Sequence, residues 1–333
     1  MALTSLLALC QGLAFFLYGT STLSSALRRM AGIRLRPVLK RTSGRVQGLF
    51  IGAGITVLLQ SSSALTVLLV RLVDAGLLEL RQGIGVIMGS NIGTTLTPWL
   101  LALTGMNHDS LPLALFQPQY LIPVLSLTGV FLTMSAPTLS IQNTGHMLVG
   151  FSLLFWSMDQ MTQAVSPLAE SHPGFLWLST SQNALFGLLV GTVFTAVIQS
   201  SAASIGILQA LVLTHPISYA SAIPIILGQN IGTCVTACLS AIGASRKAKQ
   251  VAVIHVFFNL IGALCGLIFL SVCSGTLHLS WLSTPITPFG IALCHTLFNL
   301  GTTLLLLPFP DQLELLADSL VPERIGSHAE CFS

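Results

Sequence analysis

Two short polar stretches sit inside long apolar runs and carry residue types suited to ligand chemistry. The first is Gln60-Ser61-Ser62-Ser63, followed by Gly89-Ser90-Asn91-Ile92-Gly93-Thr94. The second is Gln199-Ser200-Ser201-Ala202, followed by Gly228-Gln229-Asn230-Ile231-Gly232-Thr233. A helix broken at Gln-Ser-Ser exposes the backbone N–H groups that open the next half-helix. Such an end carries partial positive charge and binds anions without a cationic side chain. Serine hydroxyls donate, and a Gln amide donates or accepts. Gln60, Ser61, Ser62, Ser63, Gln199, Ser200 and Ser201 are therefore candidate anion ligands. Carbonyls freed at Gly-x-Asn-Ile-Gly breaks, with the side chains of Asn91, Thr94, Asn230 and Thr233, offer oxygen ligands to a cation; Gly93, Thr95, Gly232 and Ser204 are grouped with them. The competing reading is that serines and glycines only let helices pack closely.

The two stretches are copies. The offset is constant, since 199 minus 60 is 139 and 230 minus 91 is 139, and it holds without a gap from Gly48/Gly187 to Thr97/Thr236. Duplication preserves Gln and Asn, which close packing does not need, and paired polar interruptions in apolar segments mark binding sites between repeats. The double occurrence of QSS and G-x-N-I-G-T resembles the type II sodium-dependent phosphate cotransporters and their bacterial relatives, from about Gly12 to Pro308. That resemblance implies inorganic phosphate at the serine tips and sodium at the Asn91 and Asn230 breaks. It implies sodium as coupling ion, no other cofactor and no transition metal. Ala202 and Cys234 stand where Ser63 and Thr95 stand in the first copy, so the halves are unequal. Many bacterial relatives carry a regulatory domain after the membrane part; none is expected here.

The elements that must position these residues lie in a membrane. Of 333 residues, 53% are hydrophobic and 7% charged, with a mean hydropathy of +0.85; a soluble domain has about 25% charged residues. Leu3 to Leu27 is long enough to span, and the basic cluster follows it rather than preceding it, so a cleaved signal peptide is not expected. Gly44 to Ala75 is about twice the length of one span with the serines near its centre, and an arm from Val46 to Gln60 reaches only about 22 Å against a core of about 30 Å. A re-entrant hairpin is predicted there and again over Ala184 to Thr214. Full spans are predicted over Gln82–Leu103, Leu111–Met134, Met147–Val165, Ser218–Ile242, Val251–Cys273 and Phe289–Leu307, the first and fourth of these interrupted at Gly89–Thr95 and Gly228–Thr233.

Charge fixes the orientation. All 13 Lys and Arg fall at 28–45, 71–81, 246–249 and 324. Two hairpins and seven spans put them on or next to one side, which the positive-inside rule makes cytoplasmic. Seven basic residues precede the first hairpin and none precedes the second, as an inverted repeat requires. The seven-residue cluster from Arg28 to Arg45 reads as a topogenic loop, with anion or lipid-headgroup collection as the lesser role. Arg71 reads as snorkelling to the surface. The seven cysteines form no CxxC pair and read as small membrane-helix residues.

Further candidates are Asp159, the pair His255 and Asn259, and the pair His295 and Asn299. Each His/Asn pair is i,i+4 on one helix face, able to bond a neighbouring helix or a ligand. Asp159 is the one acid deep in an apolar run, either binding a cation or proton or buried neutral.

The expected molecule is an all-α polytopic membrane protein, an inverted structural repeat with two re-entrant helical hairpins and two interrupted transmembrane helices. One transporter domain covers 1–310, with a first repeat over about 3–135, a second over about 142–274 and a final helix over about 286–308. Residues 311–333 form a short polar tail. The expected function is sodium-coupled symport of phosphate in a bacterial inner membrane, with the N-terminus outside and the C-terminus cytoplasmic. Its partners are phosphate, sodium and the lipid bilayer, with a homodimer left open and no nucleic acid. It is not read as an enzyme. Transport of another oxyanion, such as sulfate or a carboxylate, and a non-transporting membrane scaffold are the alternatives.

Overall fold

The computed structural model describes residues 2–32, 35–40, 42, 44–103, 117–171 and 183–321. Among these the chain is helix and turn without a strand, apart from one bridge between Ser218 and Pro285. The helices are α1 (Ala2–Ala31), α2 (Leu35–Lys40), α3 (Arg45–Leu59), α4 (Ser62–Asp74), α5 (Leu80–Thr94), α6 (Leu96–Ala102), α7 (Pro118–Ser135), α8 (Leu139–Ser171), α9 (Ala184–Ile198), α10 (Ser201–Thr214), α11 (Tyr219–Gly232), α12 (Cys234–Ser240), α13 (Arg246–Gly275), α14 (Pro288–Leu306) and α15 (Pro310–Leu320). Four stretches, Leu3–Ala31, Tyr219–Ser240, Arg246–Gly275 and Pro288–Leu306, are long and apolar enough to cross a membrane. Phe50, Leu127, Phe131, Val197 and Phe269 stand exposed on α3, α7, α9 and α13. Large apolar side chains solvated on many outward faces suit lipid, where every backbone group must be bonded internally and helices do that. The protein is an all-α integral membrane protein.

Glycines dictate the packing around the polar stretches. A Cβ on Gly85 would strike the Arg45 carbonyl, one on Gly89 the Leu49 carbonyl and one on Gly93 the Ala53 carbonyl. Contacts that advance together in both helices make α3 and α5 parallel neighbours. Both start at the same end, where Gln82 Nε2 donates to the Thr42 carbonyl at 2.7 Å. The chain therefore enters along α3, turns at Gln60 and returns along α4. The second copy repeats this: Gly228 meets Leu188, Gly191 meets Ile225 and Gly232 meets Thr192, again backbone to backbone. Helices α1 and α8 instead run antiparallel, since Gly12 packs on Met161 while Gly19 and Leu23 pack on Gly150.

Two expectations are corrected. The interrupted helices are not unwound across the Gly-x-Asn-Ile-Gly stretch. Helix α5 runs regularly to Thr94 and α11 to Gly232, with a single non-helical residue at Thr95 and at Thr233 before α6 and α12. Their glycines serve contact with α3 and α9, which needs a regular helix surface. Residues 310–320 are not a polar tail but a helix, started by Pro310 and docked through Leu313 and Ala317. The start of the span expected from Leu111, loop 105–110, most of loop 166–181, Arg34, Arg41, Arg324 and the chain beyond Val321 lie outside the described residues.

Candidate functional site

Each Gln-Ser-Ser stretch forms the joint between two helices, and both joints have the same local geometry. Gln60 (φ 50°) and Gln199 (φ 59°) are left-handed C-caps of α3 and α9, a conformation rare for residues with a Cβ and costing about 1 kcal/mol. Ser61 and Ser200 are extended and cap the next helices: Ser61 Oγ accepts from the Ala64 amide at 3.1 Å and Ser200 Oγ from the Ala203 amide at 3.3 Å. The amides of Ser62, Ser63, Ser201 and Ala202 lie in the first turns of α4 and α10, where no intrahelical acceptor exists.

The two joints meet. One cavity of about 350 Å³ is lined by Gln60, Ser61, Ser62, Ser63, Gln199, Ser200, Ser201 and Ala202. Its floor includes Thr56, Gly93, Thr94 and Thr97, and Thr97 Oγ1 donates to Gln60 Oε1 at 2.9 Å. Gln60 Nε2 donates to the Val57 carbonyl at 2.7 Å, so its amide is fixed at both ends. Gln199 is exposed and its side chain makes no protein hydrogen bond among the described residues. The hydroxyl of Thr56 is buried without a partner among the described residues, whereas its counterpart Thr195 donates to Ser204 Oγ at 2.7 Å. Leu65 stands where Ser204 stands in the second copy, so this difference comes directly from the sequence.

Most of the remaining candidates lie outside this cavity. Asn91 Nδ2 donates to the Ile87 carbonyl at 3.2 Å, and Thr95 Oγ1 donates to the Ile92 carbonyl at 2.7 Å. Asn230, Thr233, His255, Asn259, His295 and Asn299 are buried in a separate polar network between α11, α12, α13 and α14. In it His295 Nε2 pairs with Asn230 Oδ1 at 3.2 Å, Thr233 Oγ1 donates to the Asn230 carbonyl at 2.5 Å, and Asn259 Nδ2 donates to the His255 carbonyl at 3.0 Å and Cys234 Sγ at 3.4 Å. The side-chain oxygens of Asn259 and Asn299 and both ring nitrogens of His255 have no protein partner there. Gly232 packs on Thr192 and Thr195. Asp159 is a correction: it is exposed on α8, accepts from Gln163 Nε2 at 2.8 Å and does not line the cavity.

Sequence reasoning missed a whole wall. Leu17, Thr20, Ser21, Ser24 and Arg28 of α1 line the cavity opposite the joints. Their spacing (i, i+3, i+4, i+7, i+11) is one helical face, a signal present in the sequence. Arg71, read from sequence as snorkelling to the surface, is exposed and outside the cavity, whereas Arg28 lines it. Gln209 was also missed; buried on α10, its Nε2 donates to the Pro98 and Pro288 carbonyls at 3.0 Å each and ties α10 to α6 and α14.

Comparison with known proteins gives this geometry a family. A family model described as Na+/Pi-cotransporter matches residues 15–163 and again 153–298, one match for each copy. The chain is 31% identical over 314 residues to "Uncharacterized protein YqeW" of Bacillus subtilis (strain 168), covering 93% of this chain and 96% of that one. It is 27% identical over 322 residues to "Putative inorganic phosphate export protein YjbB" of Escherichia coli (strain K12), covering 96% of this chain but 56% of YjbB. It is 31% identical over 180 residues to "Sodium-dependent phosphate transport protein 2A" of Rattus norvegicus, covering 51% of this chain and 28% of that one. No solved structure matches. With the family model covering both copies and the cavity between them, the chain belongs to the Na+/Pi-cotransporter family.

Proposed function

We propose that this protein is a sodium-coupled symporter of inorganic phosphate, working by alternating access between two inverted halves. One observation carries the reading: the free helix starts of both copies converge on one cavity lined by hydroxyls and amides. Phosphate at neutral pH carries one to two negative charges, and burying it uncompensated would cost several kcal/mol. Helix ends supply only about half a charge each, so two offset about one. Co-bound sodium supplies more; of its candidate ligands Gly93 and Thr94 line the cavity, whereas Asn91, Thr95, Asn230, Gly232, Thr233 and Ser204 lie outside it. The names of relatives support both ions: one is "Sodium-dependent phosphate transport protein 2A", another "Putative inorganic phosphate export protein YjbB". A symporter runs either way with its gradients, so the export named for YjbB is the second reading of direction.

The inverted, re-entrant architecture belongs to the same proposal. The offset of 139 makes α1 and α8 equivalent, and they pack antiparallel, the relation expected across a pseudo-two-fold axis in the membrane plane. Helices α3 and α9 have 15 residues each, about 22 Å, too short to span.

The test is equilibrium phosphate binding to purified protein across a sodium titration at constant ionic strength. Phosphate affinity rises with sodium, and by linkage sodium affinity rises with phosphate by the same factor. A phosphate dissociation constant that stays flat from sodium-free to saturating sodium would sink symport. In proteoliposomes, an inward sodium gradient drives phosphate accumulation and an inward potassium gradient does not.

A further inference from the structure

We propose that Arg28 is the charge-selecting residue of the cavity, favouring the dianionic form of a tetrahedral oxyanion over the monoanion. Arg28 is the one ionisable side chain among the residues lining the cavity. Every other polar contribution there comes from a hydroxyl, an amide or a helix start. The helices packed most closely on α1 are α3, α8 and α10. The ionisable groups described on them are Arg45, His146 and Asp159, and none lines the cavity. The guanidinium has no ion pair among the described residues. It lies back along its own helix, Nε donating to the Ser24 carbonyl at 3.4 Å and Nη2 to Ser25 Oγ at 3.3 Å. Those are long, weak bonds that leave donors of the guanidinium fork available. Folding back toward the helix N-terminus is the normal direction for a helical side chain, and here it sets the guanidinium between Ser24, which lines the cavity, and Ser25, which does not.

The charge balance gives the consequence. Two helix starts offset about one negative charge, and at fixed sodium occupancy Arg28 is the one further charge among the residues lining the cavity. Adding one guanidinium shifts the balance by a full charge, which suits a dianion, and its planar fork matches two oxyanion oxygens. Arg28 is exposed at the end of α1, so it meets the anion from the aqueous side of the cavity. Sodium linkage is separate, because no candidate sodium ligand is on α1.

This inference rests on the phosphate reading, and the experiment separates their failures. Phosphate binding is measured on the purified protein in nanodiscs of zwitterionic lipid, so no anionic headgroup competes. Sodium is saturating, and the pH is about 6 and about 8, on either side of the second ionisation of phosphate. Sulfate, a dianion at both values, is the competitor that controls for titration of the protein. Native protein binds phosphate more tightly at the higher pH. Arg28→Gln loses about tenfold to a hundredfold in phosphate affinity at the higher pH, loses less at the lower, and is less sensitive to sulfate at both. Arg28→Lys restores part of the pH ratio. An unchanged pH ratio and unchanged sulfate competition in Arg28→Gln would overturn the proposal and leave Arg28 an orienting or headgroup-binding residue. Failure of the native protein to bind phosphate at either pH would overturn the phosphate reading and this inference with it.

Discussion

Residues at the two joints differ in what holds them, and that difference separates binding from folding. Ser62 and Ser201 are buried at the starts of α4 and α10, and their hydroxyls make no protein hydrogen bond among the described residues. Ser62→Ala and Ser201→Ala should each weaken phosphate binding by roughly 1.5–3 kcal/mol, the worth of a hydrogen bond to a charged group, and leave thermal stability nearly unchanged. Unchanged affinity in both variants, at normal membrane abundance, would return these serines to a packing role. Gln199 offers a sharper case. Its backbone is left-handed and its side chain makes no hydrogen bond among the described residues, whereas Gln60 is tied to Val57 and Thr97. Gln199→Gly relieves about 1 kcal/mol of backbone strain and removes the amide. Unfolding in detergent should be as late as or later than native while phosphate binds more weakly; equal affinity would mean that the αL geometry alone, and not the amide, is what the duplication keeps. Both joints were legible from sequence, because Gln-Ser-Ser sits where two apolar arms are each too short to span. Arg28 was not, because a basic residue at a helix end carries the same signature whether it fixes topology or faces a cavity.

At the scale of elements, the glycines are the instructions that place the joints. Backbone contact of α5 against α3, and of α11 against α9, sets how far each Gln-Ser-Ser reaches. A Cβ on Gly52 would meet the Val86 carbonyl oxygen, and one on Gly191 the Ile225 carbonyl oxygen, and neither backbone can yield without parting the helices. Gly52→Val and Gly191→Val should therefore lower stability by about 1–3 kcal/mol or more. The check is thermal unfolding followed by tryptophan fluorescence. Gly54, with open space around its Cβ position, should accept alanine with no loss and a gain of about 0.5–1 kcal/mol from helix propensity. Equal effects at Gly52 and Gly54 would refute the contact argument. The same glycines explain a misreading: glycine in an apolar helix signals either unwinding or close approach, and Gly-x-Asn-Ile-Gly proved to be close approach up to Thr94 and Gly232. Helix α15 was missed for a different reason. Its apolar stripe is narrow, and between Pro310 and a polar end it reads as a loop until Leu313 and Ala317 find α13 and α5.

At the scale of the whole molecule, ion pairs among the described residues gather at one end, and that end bears on how the proposed halves face the membrane. Arg81 pairs with Asp311 and Glu314, Lys247 with Glu314, and Arg246 with Asp318. Arg45 donates to the Leu307 and Pro308 carbonyls at 3.3 Å, and Asp74 accepts from the Ser245 amide at 2.7 Å. The start of α3, the α4–α5 link, the start of α13 and helix α15 therefore share one face. These pairs are largely exposed, worth about 0–1 kcal/mol each, so they report position more than stability. Under the positive-inside rule that face is expected to be the cytoplasmic one. The start of α9 is the duplicate of the start of α3 and carries no basic residue, and antiparallel packing of α1 on α8 agrees with the proposal that the two starts face opposite sides. Single cysteines at 45, 81, 247 and 314 on a cysteine-free background should resist a membrane-impermeant maleimide added outside intact cells and react after permeabilisation. A cysteine at Asn183, which caps α9, should react from outside in intact cells. Labelling of positions 45 and 183 from the same side, with 81 labelling from the other, would make the halves parallel. Neither joint could then be re-entrant, and the two Gln-Ser-Ser starts would lose the opposed approach that alternating access between inverted halves needs.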